Sequence, residues 1–226
     1  MLNRPSIRAF ARRLRDDTSA LAFIEFAIGL PFLVLLCAGG LELSNMAMAY
    51  LRVNNIAIKA ADNAARVRTS IDEADINEIF TGTKIMGQKI DFANNGRIIL
   101  SSIEPVLDAG SPPSVVNQYL RWQRCTGANP ANSTHGAEGD GATGTAQATG
   151  YGLPGKPKIT AAKGTAVVLA EVVYTYQPLL SPVWFGAVNI RVAQAITVRE
   201  RSDQVVKNAG SLSTTQKSLC SNTHTA

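Results

Sequence analysis

Histidine and cysteine, the residues that most often bind metals or act as nucleophiles, are scarce in this sequence. Its 226 residues include two histidines and three cysteines. His135 lies in a stretch of low complexity and His224 lies two residues from the end, so neither is expected to be held in place for chemistry. Cys125 and Cys220 have no nearby histidine and lack the spacing of a zinc site. The sequence therefore predicts a protein that is not an enzyme and binds no metal or cofactor.

The excess of positive charge is small outside the first twenty residues. The net charge is +5, and residues 1–20, with five arginines and two aspartates, contribute +3 of it. A domain that binds nucleic acid needs a basic patch on its folded part. Nucleic acid is therefore not expected as a partner.

One long apolar run, Leu21–Leu43, dominates the N-terminal part of the chain. It has 23 residues, and its only charged residues are Glu25 and Glu42. About 20 apolar residues in helical form cross a bilayer core, and backbone amides in lipid must bond within the segment. The arginines before it place the N-terminus in the cytoplasm by the positive-inside rule. The sequence thus predicts a transmembrane helix over 21–45, with Pro31 kinking it, and export of everything that follows.

Glu25 is an unexpected residue at the start of this apolar run. An ionised carboxylate in the membrane is costly unless it has a partner. Two interpretations remain open: Glu25 lies at interfacial depth among the lipid headgroups, or it pairs with a positive charge from another molecule.

Helical periodicity continues beyond the membrane segment. From Met46 to Val67, small and apolar residues recur every three or four positions and form an amphipathic stripe. The helix is expected to end near Arg68, and about 45 helical residues would span roughly 70 Å.

The rest of the chain combines one short helix with strands. Apolar and polar residues alternate in Thr165–Gln177 and in Val188–Arg201, a pattern typical of half-buried antiparallel strands. The fold class predicted is α+β: a long N-terminal helix, half membrane-embedded and half amphipathic, packed on a small antiparallel sheet of about four strands. The remaining predicted elements are a helix over Asp72–Met86, capped by Asp72 or Asp75, and strands over Arg97–Glu104 and Val115–Arg124.

The domain plan follows from these elements: a basic cytoplasmic leader over 1–20, the transmembrane helix over 21–45, and an exported head over 46–226. Within the head, residues 126–164 are rich in glycine, alanine, asparagine and threonine, which predicts a flexible insert. Pro178–Phe185, an apolar connection, is either a lid over the core or a surface that touches the membrane or another subunit.

Two of the three cysteines fall in the exported part. Cys37 lies within the apolar run and is expected to act as a small packing residue. An oxidising compartment allows Cys125 and Cys220 to form a disulfide that closes a long loop, with two free thiols as the alternative.

The N-terminal residues resemble a known family. The matching features are Ile24-Glu25-Phe26-Ala27, Leu30-Pro31, Glu42 and an Ala/Asn-rich helix ending in Ala64-Ala65-Arg66, with paired strands over Thr165–Arg201 as a weaker likeness. This pattern resembles TadE-like proteins, which are minor pilins or pseudopilins of the tight-adherence (Flp) pilus within the type IV pilus superfamily. The resemblance implies a pilin-like fold and a structural role in pilus assembly and cell adhesion.

The resemblance also implies a processing site and partners. A prepilin peptidase would cut between Ala20 and Leu21, making Glu25 the fifth mature residue, although the family usually has glycine where this chain has Ala20. Glu25 would pair with the terminal amine of a neighbouring subunit, with Phe26 and Pro31 in the same recognition segment. The implied partners are the bacterial inner membrane, the peptidase, other pilins and the pilus assembly machinery, with the head in the periplasm.

Two alternatives are kept. The first is an unprocessed, single-pass, membrane-anchored periplasmic binding or interaction protein, which predicts no cleavage and no effect of Glu25→Ala. The second is a secreted domain cut after Ala49, at the signal-peptidase-like triplet Ala47-Met48-Ala49, which predicts loss of the whole apolar run.

Overall fold

A computed structural model describes residues 12, 18–153, 155, 157–180, 186 and 188–222. His224 and most of the apolar connection, at Ser181–Phe185, lie outside the described residues. The chain divides into two compact units, Met1–Asn45 and Met46–Ala226.

Helix α1, Thr18–Arg66, has 49 residues and begins before the apolar run. Pro31 lies inside it without ending it. The helix stops two residues before the predicted end at Arg68. By length and composition, Leu21–Arg66 is the one helix in the described part of the chain that is apolar enough to cross a membrane.

The second unit contains a four-stranded sheet in the order β2-β1-β3-β4. All neighbouring strands are antiparallel. This arrangement confirms the α+β class and the four antiparallel strands. The strands are β1 (Gly96–Leu107), β2 (Val115–Thr126), β3 (Val167–Thr175) and β4 (Asn189–Thr197).

Helix α2, Glu73–Gly87, begins at the aspartate predicted as its cap. The Asp72 carboxylate accepts a hydrogen bond from Ala74 N at 3.0 Å, and Asp75 accepts one from Asp72 N at 2.9 Å. These reciprocal bonds form a capping box. A 3₁₀ turn (Gln88–Ile90) and the short helix α3 (Phe92–Asn95) then lead into β1.

One face of the sheet, the helix-side face, packs against residues 46–66 of α1. The buried helix side chains are mostly small, and larger strand side chains fill the space between the two layers. The fully buried members include Val53, Ala57, Ala60, Ala61 and Ala64 from the helix and Ile98, Leu100, Ala170 and Val172 from the sheet.

The opposite face, the insert-side face, is covered by residues 126–164. Its apolar cluster contains Ile103, Leu120, Tyr151, Val167 and Leu169. Strand β3 is therefore buried on both faces, from Val167 to Tyr174, and the expectation that it is half-buried was wrong. The alternation predicted for β4 is confirmed, with Ile190 and Val192 buried between exposed neighbours.

The outer edge of β2 is covered by the chain itself. Leu120 N donates to Asp140 O at 2.9 Å, and Gly139 N donates to Leu120 O at 2.8 Å. Further along, Cys125 N donates to Ser218 O at 2.7 Å. The insert and the C-terminal tail thus satisfy backbone groups that an edge strand otherwise leaves open.

Candidate membrane and subunit-contact helix

The first unit exposes a continuous apolar surface. Phe23 and Leu36 leave 73% and 75% of their surfaces uncovered, and none of the apolar window is buried within the protein. Isolated apolar side chains at a surface are ordinary, but a continuous apolar patch marks a membrane or protein contact. The further exposed members are Leu21, Ile24, Phe26, Ile28, Leu30, Phe32, Leu33, Val34 and Leu35.

Glu25 lies within this apolar surface. It is exposed, between Ile24 and Phe26, which are 54% and 61% exposed. It forms no ion pair with any residue that the structure describes. In a lipid environment its carboxylate needs a partner from outside this unit or from the headgroup region.

The predicted cleavage position lies at the start of α1. Ala20 and Leu21 are both helical, in the first turn after Thr18. Leu21 stands four residues before Glu25, so both lie on one side of the helix. The same helix contains Pro31, which has no N–H for the carbonyl of Ala27 and so leaves that acceptor free.

The end of α1 is held by the segment that follows β4. Arg201 donates from Nη2 to Ala64 O and from Nε to Val67 O, and Arg199 N donates to Ala65 O at 3.4 Å. These donors satisfy carbonyls that have no partner inside a helix. Burial lowers the pKa of Arg201, and its positive charge suits the negative end of the helix dipole.

Sequence reasoning missed a buried polar cluster on the insert-side face. Glu171, in the middle of β3, is 1% exposed. It accepts hydrogen bonds from Ser133 Oγ at 2.8 Å and from Thr134 N at 3.0 Å, and Arg191 Nη1 also donates to it. His135 Nδ1 lies 3.2 Å from Glu171 Oε2, so His135 is held by the fold although it lies in a stretch of low complexity. The signal in the sequence was a glutamate inside an otherwise apolar strand.

A second missed cluster joins α2, β2 and the insert. Arg124 is buried and donates to Glu73 from Nε, at 2.9 Å and 3.2 Å to the two carboxylate oxygens, and from Nη2 at 2.6 Å. Its Nη1 donates to Glu138 at 2.9 Å. Two carboxylates thus compensate one buried guanidinium.

The predicted disulfide is present. Cys125 and Cys220 are joined with a Cα–Cα distance of 4.7 Å across a sequence separation of 95 residues. It ties the C-terminal tail to the end of β2. Cys37 is free and exposed on the apolar helix.

Fold and helix together define a class: an α+β protein with one apolar N-terminal helix that is compatible with single-pass membrane anchoring. Residues 21–66 match the family model described as TadE-like protein, which is about a fifth of the chain. The match confirms the resemblance over the helix and suggests a protein related to the tight-adherence (Tad) pilus. No curated protein and no solved structure matches the chain.

Proposed function

We propose that this protein is a minor pilin or pseudopilin of a tight-adherence pilus, anchored in the bacterial inner membrane with its head in the periplasm. The observation that carries the proposal is that the TadE-like match falls on α1, the helix that combines the exposed apolar surface with Glu25. A structural role accounts for the exposure of the apolar side chains from Leu21 to Leu36.

The proposed working segment starts at the Ala20–Leu21 bond. Cleavage there by a prepilin peptidase frees an amine on Leu21, and the Glu25 carboxylate of a neighbouring subunit is its partner. Pairing across subunits removes the cost of a lone charge in lipid and favours one register, because any other register leaves both charges unpaired. Phe26 and Pro31 lie in the same segment and contribute its apolar contact surface.

The test is the intact mass and N-terminal sequence of the protein recovered from native membranes. A start at Leu21 supports processing by a prepilin peptidase. A start upstream of Leu21 contradicts processing and favours the unprocessed, membrane-anchored interaction protein. A start at Tyr50 contradicts both, because the apolar run is then lost.

Substitutions at Ala20 provide a second test of the proposed processing. If the peptidase prefers glycine before the cut, Ala20→Gly increases the processed fraction and Ala20→Arg abolishes it. An equal processed fraction in all three forms contradicts recognition of residue 20 by the peptidase.

Glu25→Ala tests the proposed subunit pairing. The expected result is loss of pili from sheared cells, while the variant protein still accumulates in the membrane. Glu78→Ala is the matched control, since Glu78 is exposed on α2 outside the apolar helix. Normal pili in the Glu25→Ala strain contradict the pairing.

A further inference from the structure

A cavity of about 320 Å³ lies between the sheet and the insert. Arg97, Ile99 and Gln123 line it from the strands, Asn132 and Asp140 line it from the insert, and the Cys125–Cys220 disulfide completes the lining. This volume is at the lower end of the range for small-molecule sites, which begins at roughly 300 Å³. The cavity therefore suits a small ligand.

Arg97 brings to this cavity, which Asp140 also lines, a positive charge that is not ion-paired. Its Nη2 donates to Cys220 O at 2.9 Å and its Nη1 to Asn129 O at 3.4 Å, and both acceptors are neutral carbonyls. No carboxylate of the described residues lies within ion-pair distance of it, and its buried Nε has no acceptor there. Burial lowers the pKa of Arg97, which shows that its charge is partly removed from water.

Two other arginines of the same sheet, unlike Arg97, are paired with carboxylates. Arg124 is paired with Glu73 and Glu138, and Arg191 is paired with Glu171. A guanidinium carries five N–H donors, of which Arg97 uses two. A carboxylate is the acceptor that matches its geometry and charge.

The remaining polar groups in the lining can form hydrogen bonds with hydroxyl groups of a ligand. The Asp140 carboxylate accepts from Ala137 N at 2.7 Å through one oxygen, which leaves acceptor capacity on the other. The amide of Asn132 adds both a donor and an acceptor. Ile99 and Cys125 are each only 1% exposed, so the polar groups are the ones that a ligand meets.

From this combination we propose that the cavity binds an acidic monosaccharide whose carboxylate pairs with Arg97 and whose hydroxyls bond to Asn132 and Asp140. This activity is separate from pilus assembly through α1, and it gives the head a ligand of its own. Either proposal stands if the other fails.

The experiment is calorimetric titration of the full chain in detergent micelles with D-galacturonate, D-galactose and inorganic phosphate. Galacturonate is expected to bind at least tenfold more tightly than galactose, since only galacturonate supplies the charge-assisted bond. Arg97→Gln is expected to weaken galacturonate binding by about tenfold or more. Arg68→Gln, at an exposed arginine that does not line the cavity, is expected to change nothing.

A second variant is needed because Arg97→Gln also loses two hydrogen bonds to backbone carbonyls and could misfold for that reason. Asn132 is exposed at the cavity, and Asn132→Asp adds a negative charge there without removing a contact of Arg97. It is expected to weaken galacturonate binding more than galactose binding, because only galacturonate carries a charge that the new carboxylate repels. The proposal is overturned by absence of galacturonate binding, by equal binding of galactose, or by phosphate binding that matches that of galacturonate.

Discussion

Glu171 places a carboxylate in the centre of a sheet whose neighbouring side chains are largely apolar. Burial acts to raise its pKa, but hydrogen bonds from His135, Thr134 and Ser133 lower the pKa to about 2. The ionised form is therefore the one that the fold stabilises. Because its partners come from the insert and from β4, this side chain joins three segments of the head.

Replacing Glu171 by glutamine keeps the shape but removes the charge. Arg191 and the insert then lose a charged acceptor, and we expect the free energy of unfolding to fall by about 2 kcal/mol. Urea unfolding of the full chain in detergent at pH 7 measures this difference. Glu78→Gln, on the exposed face of α2, is the control and is expected to be neutral.

The same carboxylate predicts an acid-sensitive contribution to stability. The folded pKa of about 2 lies below the ordinary value of 4.5, so the stabilisation is complete above that value and declines as the pH falls from 4.5 toward 2. Stability curves of the wild type and Glu171→Gln should therefore converge at low pH. Parallel curves over this range would contradict the assignment.

At the scale of elements, the buried alanine stripe of α1 belongs to the core that the helix shares with the sheet. Ala57 and Ala61 have no exposed surface, so a larger side chain at either position must displace its neighbours. We expect Ala57→Leu to lower the free energy of unfolding by about 1–3 kcal/mol through overpacking. Asn63→Leu, on the exposed side of the same helix, is the control and should not destabilise the head, as thermal unfolding can show.

The elements that the sequence predicted well are those with a local pattern. The periodicity up to Val67 and the alternation in β4 each record which face is buried, and the apolar run marks a helix by its length and composition. Asp72 could be identified as a cap because capping bonds join neighbours along the chain.

The contacts that the sequence did not predict join residues that lie far apart along the chain. Glu171 meets His135 across 36 residues, and Arg124 meets Glu73 across 51. The composition of residues 126–164 predicted a flexible insert, because nothing local shows that Gln118 and Ala161 exchange two hydrogen bonds. The double burial of β3 followed from that insert and was missed for the same reason.

At the scale of the whole molecule, the disulfide determines whether the tail stays on β2. Removing it frees a loop of 95 residues, and we expect Cys220→Ser to cost about 2–4 kcal/mol of stability. Hydrogen exchange at the amide of Cys125, which donates to Ser218 O, should also accelerate. Cys37→Ser is the matched control, and equal behaviour of the two variants would contradict this role.

The C-terminal tail covers part of the β2 edge only after the tail itself has been synthesised. Ser218 and Cys220 follow every strand of the sheet in the chain, so they are synthesised after the edge that they cover. Until they arrive, this part of the β2 edge is open to pairing with another chain. A chain that ends before residue 218 would thus have all four strands but an uncovered β2 edge. We expect such truncated chains to aggregate through this edge, which the last residues cover in the full chain.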